Sequence, residues 1–139
     1  MNILLFLAAD YADEGKSGKL NIHGIFNNIH ASQFPTKHPM MYLVIKIAAE
    51  LGEYDTDHDL KILFLDEDGE ELAVITGTLR FGHPSKFGRA EAQLIIQVGN
   101  MPFPKPGRYE FRLVMNTHVL SVIPLDVIDT SQPDDQTEQ

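Results

Sequence analysis

The sequence predicts an all-β protein, an antiparallel sandwich of about seven to nine strands with Greek-key connections. Three observations support that expectation. Apolar and polar residues alternate with a period of two through most hydrophobic runs. Turn chemistry separates the runs at a spacing of about ten residues, as in sandwiches and barrels. No window of about a dozen residues keeps a helical apolar stripe, so helix is close to absent.

The first run, residues 3–9, is apolar throughout and reads as a buried strand. Gly15-Lys16-Ser17-Gly18 closes a connection to a second run at 20–29. Gly24 inside that run signals a bulge or a close backbone approach that re-aims Ile25 and Phe26. Residues 41–47 are nearly apolar on both faces, as a central strand would be. Runs 60–65 and 72–79 flank Asp68-Gly69, where a hairpin wants positive φ. Ala92, Leu94, Ile96 and Val98 alternate with Glu91, Gln93, Ile95 and Gln97. Tyr109, Phe111, Leu113 and Met115 alternate with Arg108, Glu110, Arg112 and Val114. Asn116-Thr117 then forms a second tight hairpin with a run at 119–127. Longer loops are expected at 32–39, 51–57, 82–88 and 99–107. The expected core is Leu5, Leu7, Leu20, Ile22, Phe26, Leu43, Ile45, Ile62, Phe64, Val74, Leu94, Ile96, Tyr109, Phe111, Leu113, Ile123, Leu125 and Val127.

With 139 residues and 43% hydrophobic content, the chain is read as one domain over residues 1–129. That size buries about two-thirds of the unfolded surface and needs no metal or disulfide staple. Residues 130–139 contain no aliphatic or aromatic side chain and are expected to form a disordered acidic tail. The absence of cysteine excludes disulfides, thiolate nucleophiles and Cys-based metal sites. A net charge of −9 argues against global attraction to nucleic acid or an anionic membrane, so neither is an expected partner. The apolar start lacks the preceding Lys or Arg of a secretory signal, and no stretch reaches the ~18–20 apolar residues of a membrane helix. The expected location is the cytoplasm.

Ala9-Asp10-Tyr11-Ala12 is followed by Gly18-Lys19-Leu20-Asn21-Ile22-His23-Gly24-Ile25-Phe26, then by Phe34-Pro35 and His38-Pro39. Further on come Pro106-Gly107-Arg108-Tyr109-Glu110-Phe111 and Val122-Ile123-Pro124-Leu125. This series, spread over about residues 2–128, resembles an uncharacterised family of small bacterial proteins with an immunoglobulin-like β-sandwich. The resemblance implies that fold and a bacterial cytoplasmic setting, and it supplies no catalytic residue or ligand. Pro106-Gly107 followed by Tyr109 also resembles the entry to a sandwich strand whose tyrosine hydroxyl bonds back to a corner loop.

The densest oxygen clusters, residues 55–59 and 66–70, are expected at opposite ends of one strand, too far apart to share a calcium ion. The six histidines, His23, His30, His38, His58, His83 and His118, show no metal-ligand spacing. No Gly-x-Ser-x-Gly elbow or phosphate loop is present in the sequence. No catalytic residue, cofactor or metal ligand is therefore assigned. One segment, residues 80–89, opposes the acidic character of the whole. Arg80, Phe81, His83, Lys86, Phe87 and Arg89 make it a candidate interaction loop, with Phe81 or Phe87 as an apolar anchor and its cations facing an acidic partner. The alternative is a hairpin connection whose phenylalanines tuck over the sandwich end. The expected function is a non-enzymatic binding or protein-interaction module, with a protein partner or a homo-oligomer. The competing readings are a self-assembling structural subunit, with Ile95 and Val114 among its outward apolar residues, and a small hydrolase or metal-dependent enzyme with a loop-built site.

Overall fold

The computed structural model describes residues 1–84 and 88–131. Among these the chain forms nine strands and no helix: β1 Asn2–Glu14, β2 Leu20–Phe26, β3 Asn28–Ala31, β4 Thr36–Ala48, β5 Asp57–Leu65, β6 Glu71–Arg80, β7 Glu91–Phe103, β8 Gly107–Met115 and β9 His118–Asp129. They build two packed sheets, one ordered β2-β1-β4-β7 and the other β3-β9-β8-β5-β6. Three hairpins, β1–β2, β5–β6 and β8–β9, stay within a sheet, and the other connections cross between sheets.

Strand β4 explains why its sequence is apolar on both faces. Met41, Leu43, Ile45 and Ile47 face the space between the sheets, while Tyr42 and Val44 belong to a second cluster on the opposite face. The inter-sheet core is completed by Ile62, Phe64, Phe103, Tyr109, Phe111, Leu113, Leu125 and Val127. The Phe64 ring lies parallel to that of Tyr109 at 5.4 Å and meets Phe103 edge-on at 5.6 Å. The Tyr109 hydroxyl donates to the Lys105 carbonyl at 2.6 Å, which is the expected tie to a corner.

The second cluster arises from a bend in the first hairpin. Strand β1 pairs with β4 only as far as Ala9, and beyond that point β2 alone accompanies it. At the bend Asp10 approaches Gly24, which has φ +69°, and a Cβ on Gly24 would lie 2.4 Å from Asp10 Oδ2. Glycine is required there by both conformation and space. The hairpin tip then folds back over the outer face of its own sheet, where Gln93 Nε2 donates to the Gly18 carbonyl at 3.0 Å. Beneath it Leu5, Leu7, Leu20, Ile22 and Ile95 pack on Ala12, Tyr42 and Val44.

Several expectations change. Leu5, Leu7, Leu20 and Ile22 pack in this outer cluster and not between the sheets. Val74 is 46% exposed and leaves the core list, because Ala73 and Ile75 take the inward phase of β6. The single run expected at 20–29 breaks at Asn27 into β2 and β3, which lie in different sheets. Strand β3 pairs with β9 in parallel, so the sandwich is not purely antiparallel. The loop expected at 99–107 is largely strand, since β7 continues through Pro102 to Phe103. It does so as an edge strand, where a missing proline N–H is tolerated. Of the expected tail, Thr130 donates its backbone N–H to the Ala31 carbonyl at 2.8 Å, and residues 132–139 lie outside the described residues.

Candidate functional site

The described part of the segment expected to present an interaction surface, residues 80–84 and 88–89, lies at the end of the sandwich where the β4–β5 connection meets the β8–β9 turn. Its described cations face carboxylates of the same chain. Arg80 lies 3.2 Å from Asp57, Arg89 lies 3.3 Å from Glu91, and His83 contacts Asp55. Phe81 is only 1% exposed and meets the His58 ring edge-on at 5.7 Å, so its side chain packs over the sandwich end. Lys86 and Phe87 lie outside the described residues. Tyr54 and Phe81 form an isolated bridge, and the Asp55 amide donates to the Phe81 carbonyl at 2.8 Å, joining the two loops.

His58 is the buried polar residue at the centre of this end. Thr56 Oγ1 lies 3.1 Å from His58 Nε2, and Asn116 Nδ2 lies 2.9 Å from His58 Nδ1. By distance alone these are hydroxyl, imidazole and amide in the order of a nucleophile, a base and an orienting group. The polarity of the hydrogen bonds excludes that chemistry in this arrangement. The Glu53 carbonyl, 2.9 Å from Nε2, can only accept, so Nε2 carries the proton. The Asp59 backbone N–H donates to Asn116 Oδ1 at 3.0 Å, which turns the Asn116 NH₂ group toward Nδ1. The ring is therefore the neutral Nε2–H form, and its single lone pair is already occupied. No lone pair remains to take a proton from Thr56. The sequence did hold a signal for this burial, because His58 precedes Leu60, Ile62 and Phe64 in the same inward phase of β5.

Around this network the backbone is held in unusual conformations. Asp55, Asn116 and Thr117 have φ of +59°, +60° and +148°, and the last is costly for a β-branched residue. The Glu53 carboxylate accepts from the Glu50 amide at 2.7 Å and from the Met1 ammonium at 3.0 Å. Burial works to raise its pKa, but the hydrogen bonds from the Glu50 amide and the Met1 ammonium outweigh it and hold the group below its ordinary value. Beside Asn116, on the outer face of the second sheet, an open hollow of about 260 Å³ is lined by Lys61, Thr76 and Thr117. Among the described residues no three His, Cys, Asp or Glu side chains converge to hold a metal ion, and no helix is long and apolar enough to cross a membrane.

A different surface leaves no mark in the alternation of the sequence. Strand β2 pairs with β1 only over residues 8–14, so among the described residues 2–7 of β1 are paired on one side alone. Likewise β3 covers β9 only from Asp126 to Asp129. Both uncovered stretches lie along the same seam of the sandwich, and a groove of about 290 Å³ opens there. Phe6, Leu7, Ile25, Phe26, Ile123 and Pro124 line it, no charged side chain among the described residues does, and Ile25 is 64% exposed. Of the outward apolar residues expected from the sequence, Ile95 packs under the folded hairpin and Val114 is half-buried beside the Lys61 hollow. Only pairing information, which period-two alternation lacks, reveals the open seam.

Residues 4–128 match the model of a family described as a family of unknown function (DUF6941). No curated protein matches the chain.

Proposed function

Because the chain belongs to that family of unknown function, no activity passes to it by kinship, and we propose from its own geometry that it is a protein-binding module that takes up an extended segment of a partner protein along the open seam. The observation that supports this reading is the unpaired half of β1 lying directly beside an apolar, uncharged groove. Half of the backbone N–H and C=O groups of residues 2–7 point away from β4, and such a row is a template for an added strand. Phe6, Ile25 and Ile123 offer contacts to alternate side chains of that strand. The chemistry of the partner segment follows: extended, with apolar residues at every second position and no charge facing the groove. As part of the same proposal we take the body as immunoglobulin-like and its setting as the bacterial cytoplasm, on the residues that resemble such proteins.

The test is a photo-crosslinking residue placed at Ile25 in the native cell, with a second placed at Val74 on a remote face. A partner segment crosslinked from position 25 and not from 74 supports the reading if the synthetic segment binds the pure protein and slows exchange of amides 3–7. Ile25→Asp should abolish that binding. The same captured set from both positions, or binding unchanged by Ile25→Asp, overturns it.

A further inference from the structure

We infer that His58 is a proton-sensitive lock on the loop end of the sandwich, so that acidification opens this end locally while the two-sheet core stays closed. The ring is neutral because both its hydrogen-bonding directions are fixed by groups that cannot reverse. The Glu53 carbonyl can only accept, and the Asp59 amide that holds Asn116 Oδ1 can only donate. A proton arriving at Nδ1 would point an N–H at the NH₂ group of Asn116, now 2.9 Å away. Rotating the Asn116 amide does not relieve this, because its NH₂ would then face the Asp59 N–H. One hydrogen bond of the turn must break.

Charged groups surround this end of the sandwich. Glu53 and Asp55 on the β4–β5 loop, and Asp57 and Asp59 on β5, place four carboxylates around this end. Opposing them are the Met1 ammonium on Glu53 and Arg80 on Asp57, while His83 contacts Asp55 and His118 lines the hollow shared by Met1, Glu53 and Asn116. Asp59 has no ion pair among the described residues. A hydrogen-bond partner that cannot accept the new proton makes the ring a switch. The released parts are those held by the network: the Asn116-Thr117 turn, which stores backbone strain, and the segment from Glu53 to Thr56.

The experiment is residue-resolved amide hydrogen exchange on the full chain at about pH 7.5 and about pH 5, corrected for the intrinsic pH dependence of exchange. Exchange at Asp59 and Asn116 should rise at least about tenfold at the lower pH, while Phe111 and Leu113 keep their protection. Asn116→Asp replaces the NH₂ by an oxygen that can accept from Nδ1–H, and it should remove the rise. Should that variant fail to fold, imidazole ¹⁵N shifts of the wild type serve instead, with the Nε2–H form expected at neutral pH. No local rise, a rise spread through the core, an equal rise in Asn116→Asp, or an Nδ1–H form at neutral pH would overturn the inference.

Discussion

Replacing Gly24 by alanine tests whether the bend in the first hairpin is an obligatory feature. Two costs can be worked from the structure. At φ +69° a residue with a Cβ pays about 1–2 kcal/mol relative to glycine. The new Cβ would also lie 2.4 Å from Asp10 Oδ2, 2.9 Å from its Cγ and 3.1 Å from its Cβ. Asp10 is exposed and can turn away, at a rotamer cost of about 0.5–1 kcal/mol. Gly24→Ala should therefore destabilise by about 1.5–3 kcal/mol in equilibrium urea unfolding. Asp10→Ala removes the two closest atoms, so the double variant should be less destabilised than the sum of the singles by about 0.5–1 kcal/mol. A cost below about 0.5 kcal/mol, or strict additivity, would refute the reasoning. The first result would mean that the hairpin can bend elsewhere, and the second that Asp10 moves without resistance.

Tyr109→Phe removes the donor to the Lys105 carbonyl and should cost about 1 kcal/mol, while Tyr109→Ala also empties a ring site against Phe64 and Phe103 and should cost about 3–5 kcal/mol by the same unfolding assay. Leu43→Ala, fully buried between the sheets, should cost about 2–5 kcal/mol, whereas Val74→Ala on the exposed phase of β6 should stay within about 0.5 kcal/mol; equal effects would contradict the assigned phase. Because the folded-state pKa of Glu53 lies below its ordinary value, its contribution is present above the unfolded value and is lost as pH falls through the folded one. Unfolding curves from pH 7 down to about pH 3 should show an acid-dependent loss that is smaller in Glu53→Gln.

How far the fold could be read in advance depended on which physical signal each element leaves in the sequence. Strands β5 and β8 announce themselves by strict alternation because one face meets the core and the other meets solvent. The hairpin turns at Asp68-Gly69 and Asn116-Thr117 are equally visible, since positive φ restricts the residue types that fit. Alternation reports that a face is covered, not by what. Leu5, Leu7, Leu20 and Ile22 therefore read as inter-sheet core when their cover is the folded hairpin. The break at Asn27 carries no proline or glycine, so nothing local separates β2 from β3. Aromatic and cationic composition drew attention to residues 80–89, yet composition cannot show that Arg80, His83 and Arg89 face carboxylates of their own chain. The open seam is legible only as a mismatch in length between paired strands.

The parallel join between β3 and β9 bears on the order in which the chain can acquire its shape during synthesis. Asn28–Ala31 emerges first, and its neighbour Asp126–Asp129 is made about a hundred residues later. Strand β4 likewise waits for β7, with Thr36 opposite Phe103, and β5 waits for β8. Until those late segments arrive, only the first and second hairpins and the β1–β4 pair can form, and their apolar faces are only partly covered. Long-range pairing of this kind is slow because loop entropy is spent before contacts repay it. A nascent chain should thus stay open, and sticky along β1 and β4, until the strands up to Asp129 have left the ribosome. Slowed translation beyond residue 103 would lengthen that exposed interval, and the yield of folded protein would fall with it.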